Sequence, residues 1–291
     1  MMKKYFLFAA AALTLAACSN DESDNQLQND NVIRFSSTVG TATRAGSNLL
    51  KGNFANGTEV KVKLTAADNS VTYDAVNYTV GDEGALTTDP VQYYPASGSN
   101  VSAYAYYPAN ASIEADGFQV ATNQSADDDY ETSDLMYASI PTLNKTSTNN
   151  LEFRHVLSKI VVTLAAGTGF DASELADVTI ALNGVKYKGT FDPAAGTFTP
   201  ADDTQTITLA TAASTAPHAA VVVPQDMSGK EIAVTIGNGT PVAYSIPAST
   251  TFNPGTVYSY TITVAKTGIS VTSSIAGWTS GGDAVEGNVT F

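Results

Sequence analysis

The chain has 291 residues, of which 43% are hydrophobic, enough for one large or two ordinary domains with packed cores. Charged residues make up only 14%, and the formal net charge is −14. Apart from Lys3 and Lys4 there is no basic cluster, which argues against nucleic acid as a partner because phosphate binding requires grouped Lys and Arg.

The first residues have the pattern of an export signal. MMKK is positive, and YFLFAAAALTLAA is apolar but too short for a comfortable membrane span. The run ends in LAAC and resembles a bacterial lipoprotein signal, which predicts removal of residues 1–17 and lipid attachment to Cys18; an ordinary signal peptide is the alternative. Cys18 is the single cysteine, so no intrachain disulfide can form. Residues 19–31 are polar and acidic, which predicts an unfolded tether.

The first strand-like segment is VIRFSSTV, residues 32–39, in which Ile33, Phe35 and Val39 lie on one face. TATRAGSN follows at once and contains Arg44, one of three arginines in the chain. Arg44 is either a solvated loop residue or a protease site, and its small neighbours would let the backbone extend into a protease cleft. A cut there that released the first strand would leave its sheet with an unpaired edge and an unfilled apolar groove.

Period-two alternation continues through the chain and predicts an all-β fold. Turn signals, including Asn-Gly at 56–57, 183–184 and 238–239, recur about every 8–12 residues, the spacing of an antiparallel sandwich. Short helices are predicted at TSDLMYAS and DASELAD, and the polar stretch 139–150 predicts a boundary between two domains. The predicted later strands are EVKVKL, VSAYAYYP, KIVVTLAA, VTIAL, HAAVVVP, EIAVTI and VYSYTITV.

The residues offer little for catalysis. His155 and His218 each lie beside an apolar strand, a position more typical of packing or capping than of a catalytic base. No cysteine remains for a nucleophile, and no G-x-S-x-G elbow, phosphate loop, dinucleotide fingerprint or zinc spacing occurs. The sequence therefore predicts a protein that is not an enzyme, with no catalytic, cofactor-binding or metal-binding residues.

Two stretches leave a binding role open. ADDDYETSD lacks the regular calcium-loop spacing, so its acids are either calcium ligands or solvated side chains. The tyrosines of VQYYPASGSNVSAYAYYP either stack on a sugar or pack in the core and at sheet edges. The acids are Asp127, Asp128, Asp129, Glu131 and Asp134, and the tyrosines are Tyr93, Tyr94, Tyr104 and Tyr106.

Residues 265–291 form a glycine-interrupted tail with large apolar side chains. Such side chains require a groove, which belongs either to the same chain or to a neighbour that accepts the tail by strand addition. Filling a neighbour's groove is a heterologous contact that does not close, so it builds a filament. The predicted donor residues are Ile269, Val271, Ile275, Trp278, Val285, Val289 and Phe291.

Several segments, in this order, resemble the fimbrillin family of Bacteroidales-type surface pili: the lipoprotein signal, Arg44-Ala45 after a first strand, SDLMYA, FRHVLSKIVVTL, NPGTVYSYTITV and a following I-x-x-W. The resemblance implies two transthyretin-like β-sandwich domains, at 45–150 and 151–291, after a signal peptide at 1–17 and a removable segment at 18–44. It implies a lipidated precursor at the outer membrane, cleavage between Arg44 and Ala45 by an arginine-specific protease, and insertion of another subunit's C-terminal strand into the emptied groove.

The leading hypothesis is therefore a structural pilus subunit at the cell surface that polymerises with other fimbrial subunits, most simply with itself, and supports adhesion to host or bacterial surface ligands. One alternative is an accessory tip or anchor subunit. Another is a monomeric surface lipoprotein that begins at lipidated Cys18 and binds a glycan or host ligand through its tyrosines.

Overall fold

The computed structural model describes residues 31–40, 54–113, 117–193, 195–265 and 268–278, and within them β-strands dominate. The first ten strands are β1 (Phe35–Val39), β2 (Glu59–Ala66), β3 (Thr72–Val80), β4 (Ala85–Thr87), β5 (Val101–Tyr107), β6 (Phe118–Gln119), β7 (Met136–Ile140), β8 (Asn149–His155), β9 (Ser158–Ala166) and β10 (Val178–Lys186). The others are β11 (Lys188–Asp192), β12 (Thr197–Pro200), β13 (Thr204–Ala210), β14 (His218–Val222), β15 (Gln225–Asp226), β16 (Glu231–Ile236), β17 (Val242–Ser245), β18 (Thr251–Phe252), β19 (Thr256–Ala265) and β20 (Gly268–Gly277). The all-β prediction is confirmed.

The helical segments are short. Among the described residues, the α-helix α1 spans Asp127–Ser133, and 3-10 turns span Asp82–Gly84 and Ala172–Asp177. No helix within the described ranges is both long and apolar enough to cross a bilayer.

Seven strands of the N-terminal half form one closed sheet in the order β1-β4-β3-β2-β5-β7-β8. Strands β2 and β8 alternate buried and more exposed residues along their length, as a sheet with one face on a core requires. The sheet closes through β1, which lies antiparallel to β4 and parallel to β8.

The C-terminal half contains two four-stranded sheets, β14-β9-β19-β20 and β13-β10-β16-β17, with a smaller sheet β12-β11-β6 and the pair β15-β18. Apolar side chains from β9 and β10, such as Ile160 and Ile180, lie in one buried cluster between the sheets. β9 pairs with β19 in parallel, and among the described strands β20 pairs with β19 alone, at the edge of their sheet.

The buried apolar side chains fall into two clusters. The first contains Ile33, Phe35 and Val39 with side chains of β2, β3 and β5, and the second contains side chains of β9, β10, β16 and β19. β8 runs across residue 150, pairs with β1 and β7, and sends Leu151 and Phe153 into the first cluster. The division into domains at 45–150 and 151–291 stays a prediction.

Two local predictions are wrong. The segment TSDLMYAS is not a helix, because α1 ends at Ser133 and β7 begins at Met136. The first three residues of β7 are all buried, so the strand lacks the alternation that marks a one-sided strand. The Asn183-Gly184 pair is not a hairpin turn: it lies inside β10 at a shift of register, where Gly184 adopts a positive φ that suits a β-bulge.

Candidate functional site

The segment around β1 buries one continuous face in the first cluster. Ile33, Phe35, Ser37 and Val39 are all buried, while the intervening side chains are more exposed. The sequence predicted the three apolar members of this face; Ser37 is an addition that alternation alone did not single out. We call the space that these four side chains fill, between β4 and β8, the β1 groove.

The backbone of this segment is held mainly by β8. β1 pairs with β8 over five residues and with β4 over only two, Phe35 with Leu86 and Ser36 with Ala85. Just before β1, the Ile33 amide donates to the carbonyl of Gln92, a residue that follows β4 in the chain (2.9 Å). At the other end the Gly40 amide donates to the Phe153 carbonyl (2.7 Å). On the other side, β4 therefore pairs with only two residues of β1, and the contacts beyond this short ladder come from Gly84 and Gln92.

The middle of the β1 groove accepts only a small residue. Ser37 is fully buried, and its hydroxyl donates to the Gly84 carbonyl (3.1 Å). Gly84 has φ +79°, and a Cβ at this residue would lie 2.4 Å from the Ser37 carbonyl oxygen. Any side chain at Gly84 would therefore push the two backbones apart, and a side chain larger than serine at position 37 would overlap the buried surroundings that its hydroxyl already contacts.

A cleft of about 450 Å³ adjoins the Ile33 and Phe35 end of the β1 groove. Its walls include Tyr78 and Gln92, two buried residues whose hydroxyl and Oε1 atoms have no hydrogen-bond partner within the described part of the chain. The rings of Phe35 and Tyr78 meet edge to face, with centroids 5.7 Å apart. Burial raises the pKa of Tyr78 well above its usual range, so its hydroxyl stays protonated.

The predicted processing residues lie outside the described part of the chain. This applies to Cys18 and to Arg44 and Ala45, which follow β1 in the undescribed range 41–53. Their roles stay predictions. Gly40 is the last described residue before them, and its amide still belongs to the pairing with β8.

The predicted donor residues fall into two groups. Ile269, Val271 and Ile275 lie on β20, which pairs with β19 of the same chain over ten residues, and Ile275 is 58% exposed. Trp278 is buried in the second cluster. The remaining three, Val285, Val289 and Phe291, lie outside the described residues.

Trp278 lies in a buried polar cluster where the two halves of the chain meet. Its ring stacks on His155, with centroids 3.7 Å apart and an interplanar angle of 5°. The His155 Nδ1 atom lies 2.8 Å from a carboxylate oxygen of Asp134. The buried Lys159 ammonium lies 5.7 Å from the Trp278 ring and 5.4 Å from the Tyr130 ring. This arrangement fixes the end of β20 against the end of β8.

The sequence placed His155 correctly as a packed residue but gave no sign of its partners. The sequence assigns Asp134 to an acidic stretch and Lys159 to an apolar strand, and nothing local indicates that either side chain is buried. His218 caps a turn, since its Nε2 atom accepts the amide of Ser214 (3.0 Å). The sequence offered one signal that His155 is buried: FRH, residues 153–155, lies directly before the most apolar strand.

The two stretches that left a binding role open are now located. Tyr93 is 49% exposed, whereas Tyr94 and Tyr106 are buried and Tyr104 is half-buried, so these tyrosines do not share one exposed surface. The Tyr94 hydroxyl donates to the Asn144 carbonyl (2.7 Å). Most of the acidic stretch forms α1, and the described residues contain no group of three or more His, Cys, Asp or Glu placed to hold a metal ion.

Sequence comparisons match this chain to fimbrial proteins. A family model described as fimbrillin-like matches residues 43–278. A protein of Bacteroides uniformis named as a candidate fimbrium subunit, Fim1C, is 27% identical over 96% of this chain and 97% of its own length.

Solved structures share the fold. A crystal structure of a candidate cell adhesion protein from Bacteroides uniformis superposes with a TM-score of 0.68 at 23% identity, covering 86% of this chain and all of that one. A second, from Bacteroides ovatus, gives a TM-score of 0.65 at 16% identity, covering 86% of this chain and 99% of the other. At these identities the likeness concerns the fold alone.

Proposed function

The chain belongs to the fimbrillin-like family, and on that basis we propose that it is a structural subunit of a cell-surface fimbria that supports adhesion. In this proposal the chain is exported as a lipoprotein precursor, with lipid on Cys18 anchoring it to the outer membrane. An arginine-specific protease cuts between Arg44 and Ala45 and releases the segment that contains β1. The tail of another subunit then enters the β1 groove.

One observation carries the proposal: the chain places a core-completing strand immediately before the arginine. Ile33, Phe35 and Val39 are buried in the first cluster. Burial of each contributes about 1.5–3 kcal/mol, so the loss of all three costs roughly 5–9 kcal/mol. A whole domain is stable by only about 5–15 kcal/mol, so the opened protein needs a replacement strand.

The other two arginines support Arg44 as the site of cleavage. Arg154 lies within β8, whose backbone is paired with β1 and β7. The carbonyl of Arg34 accepts the Asn149 amide (3.0 Å). Proteases bind their substrate as an extended strand, so backbone already paired in a sheet is protected from them.

The test is to treat the purified precursor with an arginine-specific protease and to follow the N-terminus and the size of the product. We expect the wild type to begin at Ala45 and to form a ladder of polymers, and Arg44→Ala to give neither. Arg44→Lys is the matched control, since trypsin should process it and the arginine-specific enzyme should not.

Two results would contradict the proposal. One is polymer formation by Arg44→Ala equal to that of the wild type. The other is a mature surface protein that begins at lipidated Cys18, which is the expectation for the monomeric ligand-binding lipoprotein.

A further inference from the structure

The β1 groove has a fixed order of side-chain sizes. From one end to the other it holds Ile33, Phe35, Ser37 and Val39, which are large, large, small and medium. The third position has room only for a small side chain, because Ser37 is fully buried and its hydroxyl already contacts the Gly84 carbonyl. Any strand that replaces β1 must therefore place a small residue at this position.

Read backwards, the tail matches this order of sizes at three of the four positions and has a smaller residue, Val289, at the position of Phe35. DAVEGNVTF, residues 283–291, alternates Val285, Gly287, Val289 and Phe291 with more polar residues. Read from Phe291 to Val285, the series is large, medium, small and medium. Gly287 then coincides with the position of Ser37.

We propose that residues 285–291 of a second copy fill the β1 groove in the direction opposite to β1, with Gly287 at the position of Ser37. Val285 then replaces Val39, Val289 replaces Phe35, and Phe291 replaces Ile33. This register rests on the proposed function, since it presumes that β1 has been released.

The opposite direction fits poorly. With Gly287 still at the position of Ser37 but the tail parallel to β1, Asp283 would take the buried position of Ile33. A buried carboxylate without a partner is strongly unfavourable. In the same arrangement Phe291 would extend past the position of Val39, outside the groove. The direction of the inserted strand therefore depends on its end residues, Asp283 and Phe291. Its register depends on Gly287 alone.

The cleft provides room for the largest tail residue. It adjoins the Ile33 end of the groove, where the proposed register places Phe291, which is bulkier than the isoleucine it replaces. Val289 is smaller than Phe35, so the same end also gains space within the groove. The cleft can therefore take the extra bulk of Phe291, whereas Val289 leaves part of the space of Phe35 unfilled.

The register also brings two acidic residues together. Glu286 takes the position of Thr38, whose partner on β8 is the exposed Glu152. Like charges directly opposite each other on a sheet are unfavourable, and salt screens them. In the parallel arrangement Glu286 would instead lie opposite Asn150. Glu152→Lys should therefore speed strand exchange at low salt only if the proposed direction is right.

Disulfide trapping distinguishes the two directions. In the proposed register Asn288 takes the position of Ser36, opposite Asn150; in the parallel one it takes the position of Thr38, opposite Glu152. Paired strands hold opposite Cα atoms about 4.5–5.5 Å apart, which suits a disulfide. We expect protease-treated Asn288→Cys/Asn150→Cys protein to form covalent ladders, and Asn288→Cys/Glu152→Cys to form none. Cleavage at Arg44 removes Cys18, so no native thiol interferes.

Substitutions of Gly287 test the size requirement. Gly287→Leu should lower the polymer yield by about tenfold or more, because overpacking a tight site costs that much in equilibrium. Gly287→Ser should polymerise like the wild type, since serine is the residue that β1 itself places there. Gly282→Leu, which lies before the inserted segment, is the matched control and should also be unaffected.

The outcomes distinguish a wrong strand register from a wrong fimbrial function. Polymers that form in the parent protein but cross-link only through the Glu152 pair, or tolerate Gly287→Leu, overturn the register and leave the fimbrial function standing. A monomer cross-linked internally through the Asn150 pair supports the register and overturns assembly. The tail of a molecule could reach its own groove. Trp278 stacks on His155, which lies two residues after Phe153, the partner of Val39, so the tail starts close to the Val39 end of the groove. Absence of any polymer or cross-link overturns both.

Discussion

Tyr78 is a buried residue whose ring is packed but whose hydroxyl makes no hydrogen bond within the described residues. Its ring contacts that of Phe35 on β1 edge to face. Leaving a hydroxyl unpaired away from water costs about 1–3 kcal/mol. Tyr78 therefore contributes its ring to the first core, whereas its hydroxyl opposes folding.

We expect the free energy of unfolding of Tyr78→Phe to equal that of the wild type or to exceed it by up to about 2 kcal/mol. The variant keeps the ring and removes the unpaired hydroxyl. The variant should also resist alkali better. Burial raises the pKa of Tyr78 above its unfolded value of about 10, so the wild type loses stability as the pH rises above that value. Urea unfolding at about pH 7 and pH 10.5 measures both effects.

Tyr94→Phe is the control for this experiment. Its hydroxyl donates to the Asn144 carbonyl, so its removal should lower the free energy of unfolding by about 0.5–1.5 kcal/mol. A loss of the same size in Tyr78→Phe would mean that the Tyr78 hydroxyl does have a partner.

At the scale of elements, β1 is a strand that the sheet needs but holds unevenly. Five residue pairs join it to β8 and two join it to β4, and its Phe35 and Val39 side chains, with Ile33 just before the strand, complete the first cluster. Its stability in the sheet thus comes from burial and from one neighbour. A strand held in this way can be replaced once its covalent connection is cut, provided that β8 remains free to pair.

A disulfide between β1 and β8 should prevent that replacement. Ser36 and Asn150 are direct partners, and the Ser36 hydroxyl lies 3.2 Å from the Asn150 side-chain oxygen. We expect Ser36→Cys/Asn150→Cys, in a chain that begins at residue 19, to be cut by protease yet remain monomeric. Addition of reductant should restore the polymer ladder, read on a gel.

The single variant Ser36→Cys is the control and should polymerise with or without reductant. If the oxidised double variant polymerises as fast as this control, β1 does not have to leave the groove, and strand replacement is not the mechanism of assembly.

At the scale of the whole molecule, the two segments on which the proposed assembly depends are attached to different cores. Ile33, Phe35 and Val39 complete the first cluster, whereas Trp278, after which the tail continues, is buried in the second. Release of β1 should therefore weaken one core and leave the attachment of the tail intact. This separation would keep the end of β20 ordered while the groove of the same molecule is open.

We expect a chain of residues 45–278 to differ from one of residues 19–278 in its first core only. The first core should lose roughly 5–9 kcal/mol of unfolding free energy, because three apolar side chains are missing. Trp278, the single tryptophan, reports on the second core by fluorescence and should show an unchanged transition. Amide hydrogen exchange of β2 and β5 measures the first core, and that of β10 and β16 gives the internal reference.

The two chains both lack the tail beyond Trp278, so assembly cannot mask the effect. A parallel loss of protection in β10 and β16 would show that the two cores unfold as one unit, which would rule out independent opening of the groove.

The sequence by itself determined the class of fold and the face of the first strand. Alternation of apolar and polar residues is a local property, so Ile33, Phe35 and Val39 could be assigned to one face, and most strands could be located, without knowledge of their neighbours. The rest depended on contacts between distant segments. Parallel pairing of β1 with β8, the close approach of Ser37 to Gly84, and the burial of β7 on both faces arise only when strands far apart in the chain meet.

The cluster of Asp134, His155, Lys159 and Trp278 is the clearest case. Each residue taken singly resembles a surface charge or an ordinary packed residue, and only the tertiary structure brings their side chains together. The physical reason is that burial of a charged or polar group depends on partners supplied by other elements, whereas strand formation depends mainly on the pattern of its own residues. The tertiary structure therefore decided that Trp278 is held in the second core, whereas the order of side-chain sizes in residues 285–291, from which we propose their register, is set by the sequence alone.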